Sequence, residues 1–213
     1  MPFPVPTKSI HATMRFAYAA RDRTATAGHG LVAALAVGLA LFGAPAFAWD
    51  PEHLNRFRGA MVCLGCDLTG ANLIRADLRS ADLEGSDLTG ANLYFSILIG
   101  ATLRGTDLGG TNLRGANLFY SDLSQARLVL ADMTGANLSG AQLIGADLTQ
   151  TDLSGADLYG ADLTGARIAQ TDLGGASLYG ANLTGAVMTA PRLDGAVLCQ
   201  TVMPDGTIAN DGC

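Results

Sequence analysis

The chain has 213 residues, a formal net charge of −6, 27 Gly and only 6% aromatic residues. Gly stands above its usual share of about 7% and aromatics are sparse, which argues against a mixed globular core built on Phe and Tyr. From residue 49 onward there are 9 Arg, 18 acidic residues and no Lys, a formal −9 that offers no basic footprint for direct nucleic-acid binding.

Residues 1–48 read as a secretory signal. Basic residues through Arg23 precede the apolar run Leu31 to Phe42, and Ala46-Phe47-Ala48 supplies a small-x-small cleavage pattern with Trp49 as the first mature residue. The run is shorter than the ~20 apolar residues that span a bilayer, so cleavage leaves no membrane span. The expected location is the periplasm or the extracellular space. Residues 49–62 then read as a short capping helix. Asp50 suits the N-cap, Pro51 the first helical position, and Leu54, Phe57 and Met61 fall on one face. That face would cover the first layer of the repeat that begins at Cys66, because repeat arrays need terminal caps.

From Cys66 to Asp205 an apolar residue returns at every fifth position without a slip. Between Leu68 and Met203 these positions hold 24 Leu, 3 Met and Ile168, which makes 28 consecutive pentads. The residue two places earlier is small, Ala in 18 pentads, with Pro191 the one oddity, and Gly closes 17 pentads. A period of five fits neither a helix at 3.6 nor a strand at 2, so either would scatter the Leu residues over both faces.

Runs such as Ala71-Asn72-Leu73-Ile74-Arg75, Ala136-Asn137-Leu138-Ser139-Gly140 and Ala161-Asp162-Leu163-Thr164-Gly165 resemble the pentapeptide-repeat proteins. The resemblance covers Cys66 to Asp205. It implies an all-β fold, a right-handed quadrilateral β-helix in which each pentad forms one side of a square coil and four pentads complete a turn. The small residue and the Leu then point inward, and 28 pentads make about seven coils. At ~4.8 Å per layer the tube would be roughly 34 Å long. Its interior accounts for Leu and Ala, and corner Gly accepts backbone angles that a Cβ resists. The expected organisation is signal 1–48, cap helix 49–62, β-helix 63–205 and cap tail 206–213.

Twenty residues per coil would place residues twenty apart above one another, so outward side chains form ladders. Asp132, Asp152 and Asp172 stack without a base until Arg192. At ~4.8 Å spacing these carboxylates would raise one another's pKa values or hold a cation such as Ca²⁺. The alternative is that they are the solvated Asp/Asn of the repeat, partly hydrogen-bonded to backbone. Apolar departures form a second candidate site. Tyr94, Phe95, Ile97 and Ile99 cluster, Phe119 and Tyr120 come one coil later, and Tyr159 and Tyr179 stack in register. Contiguous exposed apolar area marks an interaction surface, here for a protein or envelope partner or for a second copy of the chain.

In an exported chain Cys63, Cys66, Cys199 and Cys213 are expected to oxidise. Three pairings exist on paper. The implied rod separates its two ends, which favours Cys63–Cys66 and Cys199–Cys213. The entry Cys63-Leu64-Gly65-Cys66-Asp67-Leu68 and the ending through Met203-Pro204-Asp205-Gly206-Thr207 resemble those of exported members of the family. Pro204 and Gly206 suit a turn, after which Ile208 would fold back over the last coil.

With His53 the only His after residue 48, no Ser/His/Asp or Cys/His constellation and no zinc site can be assembled. The expected function is therefore non-enzymatic and cofactor-free, an exported module presenting acidic and aromatic ladders. The resemblance also implies an alternative, because relatives in this family mimic duplex DNA and protect DNA gyrase, and a −9 rod is compatible with that.

Overall fold

The computed structural model describes residues 61–213. The signal and nearly all of the cap helix expected over 49–62 lie outside these residues. Val62, the last residue assigned to that cap, already belongs to the repeat, bridging to Asp82. No helix is present among the described residues.

The chain winds with a constant register of twenty. Four parallel ladders of bridges run through it: Val62 through Asp82 to Val202, Asp67 through Asp87 to Arg167, Asn72 through Asn92 to Arg192, and Asp77 through Ile97 to Val197. They define four sides, called below the Asp82, Asp67, Asn72 and Asp77 sides. The Asp67 ladder continues into β1 (Arg167–Ala169) and β2 (Val187–Thr189), which pair parallel with Arg167 opposite Val187. In these two pentads the backbone stays extended for three residues.

The pentad accounts for each backbone N–H in turn. Counting the small residue as first, the third residue donates to the coil above (Leu68 N to Asp87 O, 2.7 Å) and so does the fifth (Gly70 N to Thr89 O, 2.8 Å). The second residue donates to the coil below (Asp87 N to Cys66 O, 2.8 Å), and the first closes the corner (Ala71 N to Leu68 O, 2.9 Å). The fourth donates to the side chain of the second, as Thr69 N does to Asp67 Oδ1 at 3.0 Å. This Asx turn repeats on all four sides and explains why Asp or Asn occupies the second position. The corner bond with positive φ at its third residue makes a type II turn, which is why Gly closes most pentads. Eleven non-Gly residues also take positive φ, among them Phe95 at 51° and Tyr120 at 53°.

Inside, Leu and Ala form one continuous core, with most Leu residues 0–1% exposed. Each such Leu contributes about 2 kcal/mol by transfer from water. Inward Ser and Thr are accommodated by bonding a carbonyl of the wall, as Thr151 Oγ1 does to Leu128 O at 2.7 Å and Ser121 Oγ to Leu118 O at 2.8 Å. Ser96 Oγ is the one buried side-chain polar atom without a partner among the described residues.

The C-terminal end is closed on two sides only. After the turn at Met203–Gly206 the chain reverses, so that β3 (Thr201–Val202) pairs antiparallel with β4 (Ile208–Ala209). The tail accepts bonds from Leu198 N (to Asp211 O, 2.8 Å) and Met203 N (to Thr207 O, 2.7 Å). The expected fold-back is present in the backbone, but the Ile208 side chain is 64% exposed and does not cover the core. Pro191 lacks an N–H and so cannot close its corner onto Met188. Met188 and Leu193 remain half-buried.

Candidate functional site

The side chains that could meet a partner stand at the second, fourth and fifth pentad positions, and the fold decides which of them are already committed. At the acid stack, Asp132 Oδ1 accepts from Thr134 N (3.1 Å) and Thr134 Oγ1 (2.6 Å). Asp152 Oδ1 accepts in the same way from Ser154 N and Oγ, and Asp172 Oδ1 from Gly174 N. The stack is also flanked by bases. Arg114 Nη1 lies 3.3 Å from Asp132 Oδ2 and Arg192 Nη1 lies 3.1 Å from Asp172 Oδ2.

Asp132 does not titrate in the direction expected for bare like charges. At Asp132 burial pushes the carboxyl pKa up, but the Thr134 hydroxyl and N–H and the Arg114 guanidinium outweigh it and hold the pKa below 3.8. A base eighteen residues earlier, at the fourth position of the coil below, supplies the charge that a register of twenty does not reveal. Among the described residues no group of three His, Cys, Asp or Glu is placed to hold a metal ion.

The upper part of the Asp67 side is likewise self-neutralising. Arg127 pairs with Asp107 at 3.1 Å, and Arg167 stands 4.0 Å from Asp147. Its exposed pairs are worth at most about 1 kcal/mol each.

The aromatic residues are distributed differently. Tyr94 and Phe95 sit on the corner between the Asn72 and Asp77 sides, and Phe119, Tyr120, Tyr159 and Tyr179 on the corner between the Asp77 and Asp82 sides. All six aromatic residues of the described chain thus border the Asp77 side, which carries Ile97 on its face and Ile99 on its rim. Sequence reasoning omits Ile74, which is 44% exposed one coil below Tyr94. Its signal is the same register of twenty.

These rings are organised in pairs. Tyr94 and Phe95 meet edge to face with centroids 4.5 Å apart, and so do Phe119 and Tyr120 at 4.3 Å. Tyr159 and Tyr179 stack at 5.3 Å with 9° between planes. Phe95 and Tyr120 also have a structural task that the sequence does not reveal. A Cβ on Gly115 would lie 2.7 Å from the Phe95 ring, and one on Gly140 the same distance from Tyr120. Each ring therefore lies across the Gly of the coil above. Phe95 remains 50% exposed, Tyr120 65% and Tyr159 56%, so the border is both braced and open to solvent.

Between the two rims the face is polar and weakly charged. Asn117, Asn137, Asp157 and Ser177 succeed Ile97 up the ladder. Ser139 Oγ lies 2.7 Å from Asn137 Oδ1 and 2.8 Å from Asp157 Oδ2, which links successive coils. This side can offer stacking surface and hydrogen bonds, but no His or Lys stands among the described residues to move a proton at neutral pH.

Both ends of the described chain are braced by disulfides, Cys63–Cys66 and Cys199–Cys213. Cys66 N donates to Ser86 Oγ, and Ser86 Oγ in turn donates to Cys63 O, tying the first bridge to the next coil. No helix among the described residues is long and apolar enough to cross a membrane.

Comparison with known proteins agrees with this geometry. The profile described as Pentapeptide repeats matches in eight copies over residues 65–94, 96–135, 131–168 and 166–203. No curated protein sequence matches the chain. Among solved structures, HetL, a pentapeptide repeat protein involved in heterocyst differentiation regulation in the cyanobacterium Nostoc sp. strain PCC 7120, is 30% identical over 70% of this chain and 87% of its own, with a TM-score of 0.34. A trypsin-treated variant of QnrB1, a plasmid-mediated fluoroquinolone resistance protein, is 20% identical over 63% of this chain and 80% of its own, with a TM-score of 0.54. A pentapeptide repeat protein of the Arabidopsis thaliana thylakoid lumen is 28% identical over 67% and 78%, with a TM-score of 0.28. With the profile spanning nearly all of the bridged ladder, the chain belongs to the pentapeptide repeat family, whose members fold as right-handed quadrilateral β-helices.

Proposed function

We infer that this chain is an exported, non-enzymatic rod of seven coils that docks a protein or envelope component along its Asp77 side. The observation that carries this reading is the confinement of all six described aromatic residues to the two rims of one side. Aromatic residues are enriched at protein interfaces, and among the described residues the two corners away from the Asp77 side carry none. Export is supported by the pattern from Arg21 to Ala48 and by the two disulfides, which suit an oxidising compartment. A second copy of the chain could use the same side.

The test is site-specific photo-crosslinking in the native envelope. A crosslinker at Asn137, on the Asp77 side, should trap a discrete species that one at Gln142, on the neighbouring side, does not. Phe119→Ser/Tyr159→Ser should abolish it. Equal trapping from both sides would refute the assignment, and a trapped species of twice the chain's mass would identify the partner as a second copy.

One observation favours a second reading. The described residues carry 16 acids against 7 Arg, which suits a mimic of duplex DNA acting on gyrase. Gyrase inhibition by the purified rod at stoichiometric concentration would establish it. The export pattern and the paired charges of the Asp67 side argue for the docking reading first.

A further inference from the structure

In every interior coil the third and fifth residues of each pentad donate their N–H groups to the coil above. The last coil has no coil above it, and its own tail replaces that partner on two sides, receiving Leu198 N, Gln200 N and Met203 N. On the other two sides, among the described residues, the N–H groups of Met188, Ala190, Leu193 and Gly195 have no partner. These four donors lie along one continuous edge around the corner at Pro191. Beneath them lie Met188 and Leu193, core side chains of the last layer that are only half-buried.

We propose that this half-open edge of the last coil is a docking site for an extended segment of a partner protein, which adds as a strand and completes the layer that the tail begins. The inference goes beyond the side-docking reading and does not depend on it. An edge with aligned, unpaired N–H groups over apolar side chains is a template for strand addition, the backbone giving affinity and the apolar floor specificity. The molecule supplies its own example next door. The tail lies one layer above the last coil and accepts from Leu198 N and Met203 N at 2.8 and 2.7 Å, distances found between coils throughout the tube. The recess beside it is therefore one strand layer deep. An extended segment fills that height, with main-chain carbonyls facing Met188, Ala190, Leu193 and Gly195 and an apolar side chain set down near Leu193. The Cys199–Cys213 bridge pins the tail over the other half.

The test starts from a displayed library of random linear peptides, selected on the disulfide-intact protein. The selected peptides should weaken about tenfold on Leu193→Pro, which removes one donor and about one net hydrogen bond. That variant sacrifices no internal hydrogen bond but trims a half-buried side chain that packs on the core, so Leu193→Ala, which trims it and keeps the N–H, is the control: it should melt close to Leu193→Pro and bind the peptides about tenfold more tightly than Leu193→Pro does. Met188→Pro against Met188→Ala carries the same test should Leu193→Pro not fold. Hydrogen exchange gives an independent readout, since the four amides should exchange freely in the protein alone and become protected with peptide. Peptides that bind Leu193→Pro unchanged, or a library that yields no binder, would overturn the proposal. So would concentration-dependent protection of the four amides in the protein alone, which would assign the edge to a second copy.

Discussion

Ser96 tests whether hydrogen-bond accounting inside the tube predicts stability. Its side chain is 1% exposed, and its Oγ has no partner among the described residues, whereas Thr106, Thr111, Ser121, Thr151, Thr171 and Thr201 each donate to a wall carbonyl at 2.6–2.9 Å. A buried unsatisfied hydroxyl costs about 1–3 kcal/mol. Ala occupies the same inward position in 18 of the 28 pentads, so Ser96→Ala removes the hydroxyl and leaves a side chain the tube already accepts. The expected gain is about 1 kcal/mol, or about 2–4 °C in melting temperature for a domain of this size. Ser121→Ala is the control of opposite sign. It deletes a made bond, a loss of about 0.5–1.5 kcal/mol, but leaves Leu118 O paired with Ser121 N at 3.0 Å. Circular dichroism melts of both variants with the disulfides intact would decide. A Ser96→Ala protein that melts at or below wild type refutes the reasoning, because it would mean the hydroxyl finds a partner the accounting misses.

Other substitutions probe the core, the corners and the charge pairs. Leu138 is fully buried in a middle coil, so Leu138→Asp places an unpaired carboxylate in the core at a cost above about 4 kcal/mol and should abolish the cooperative melt. Gly155→Ala and Gly115→Ala both meet positive φ, but only Gly115 faces the Phe95 ring at 2.7 Å. Gly155→Ala should cost about 1 kcal/mol and Gly115→Ala distinctly more, with Phe95→Ser/Gly115→Ala falling back toward the Gly155→Ala value. Asp132→Asn keeps the acceptor for Thr134 N–H but loses the charge pairing with Arg114. Because the folded carboxyl sits below its ordinary 3.8, its contribution is present above that pH and is lost as pH falls through the folded value. The wild-type advantage, under about 1 kcal/mol at this half-exposed pair, should therefore hold at pH 7 and vanish in acid melts below pH 3.8.

How much of this is legible in the sequence depends on which distance along the chain a contact uses. The interior is legible because only one backbone path returns an apolar residue to the same place every five residues. Leu68 to Leu183 occupy that place with 0–5% exposure wherever Leu stands. The outward ladders are legible in register, since Asp132 does bridge to Asp152 and Asp152 to Asp172. Their chemistry is not, because side chains also meet at a spacing of eighteen, from the fourth position of one coil to the second of the next. Arg114 reaches Asp132 in this way, as Ser139 reaches Asp157 and Asn182 reaches Thr164. A reading by twenties alone leaves Asp132 bare and pushes its expected pKa the wrong way.

The ends show the same limit from another direction. Pro204 and Gly206 announce a turn and the cysteines announce a brace, and together they imply a cap over the last coil. A linear pattern records that a segment turns back but not how many sides it reaches. The tail bonds to Leu198, Gln200 and Met203 and stops short of Met188 and Leu193. Pro191, which the pentad count marks only as an irregularity, stands at the corner where that coverage is missing. Docking through the backbone of a repeat this regular is to be sought where the pattern's own hydrogen bonds run out, because everywhere else the coils have already used the N–H groups that an added strand would need.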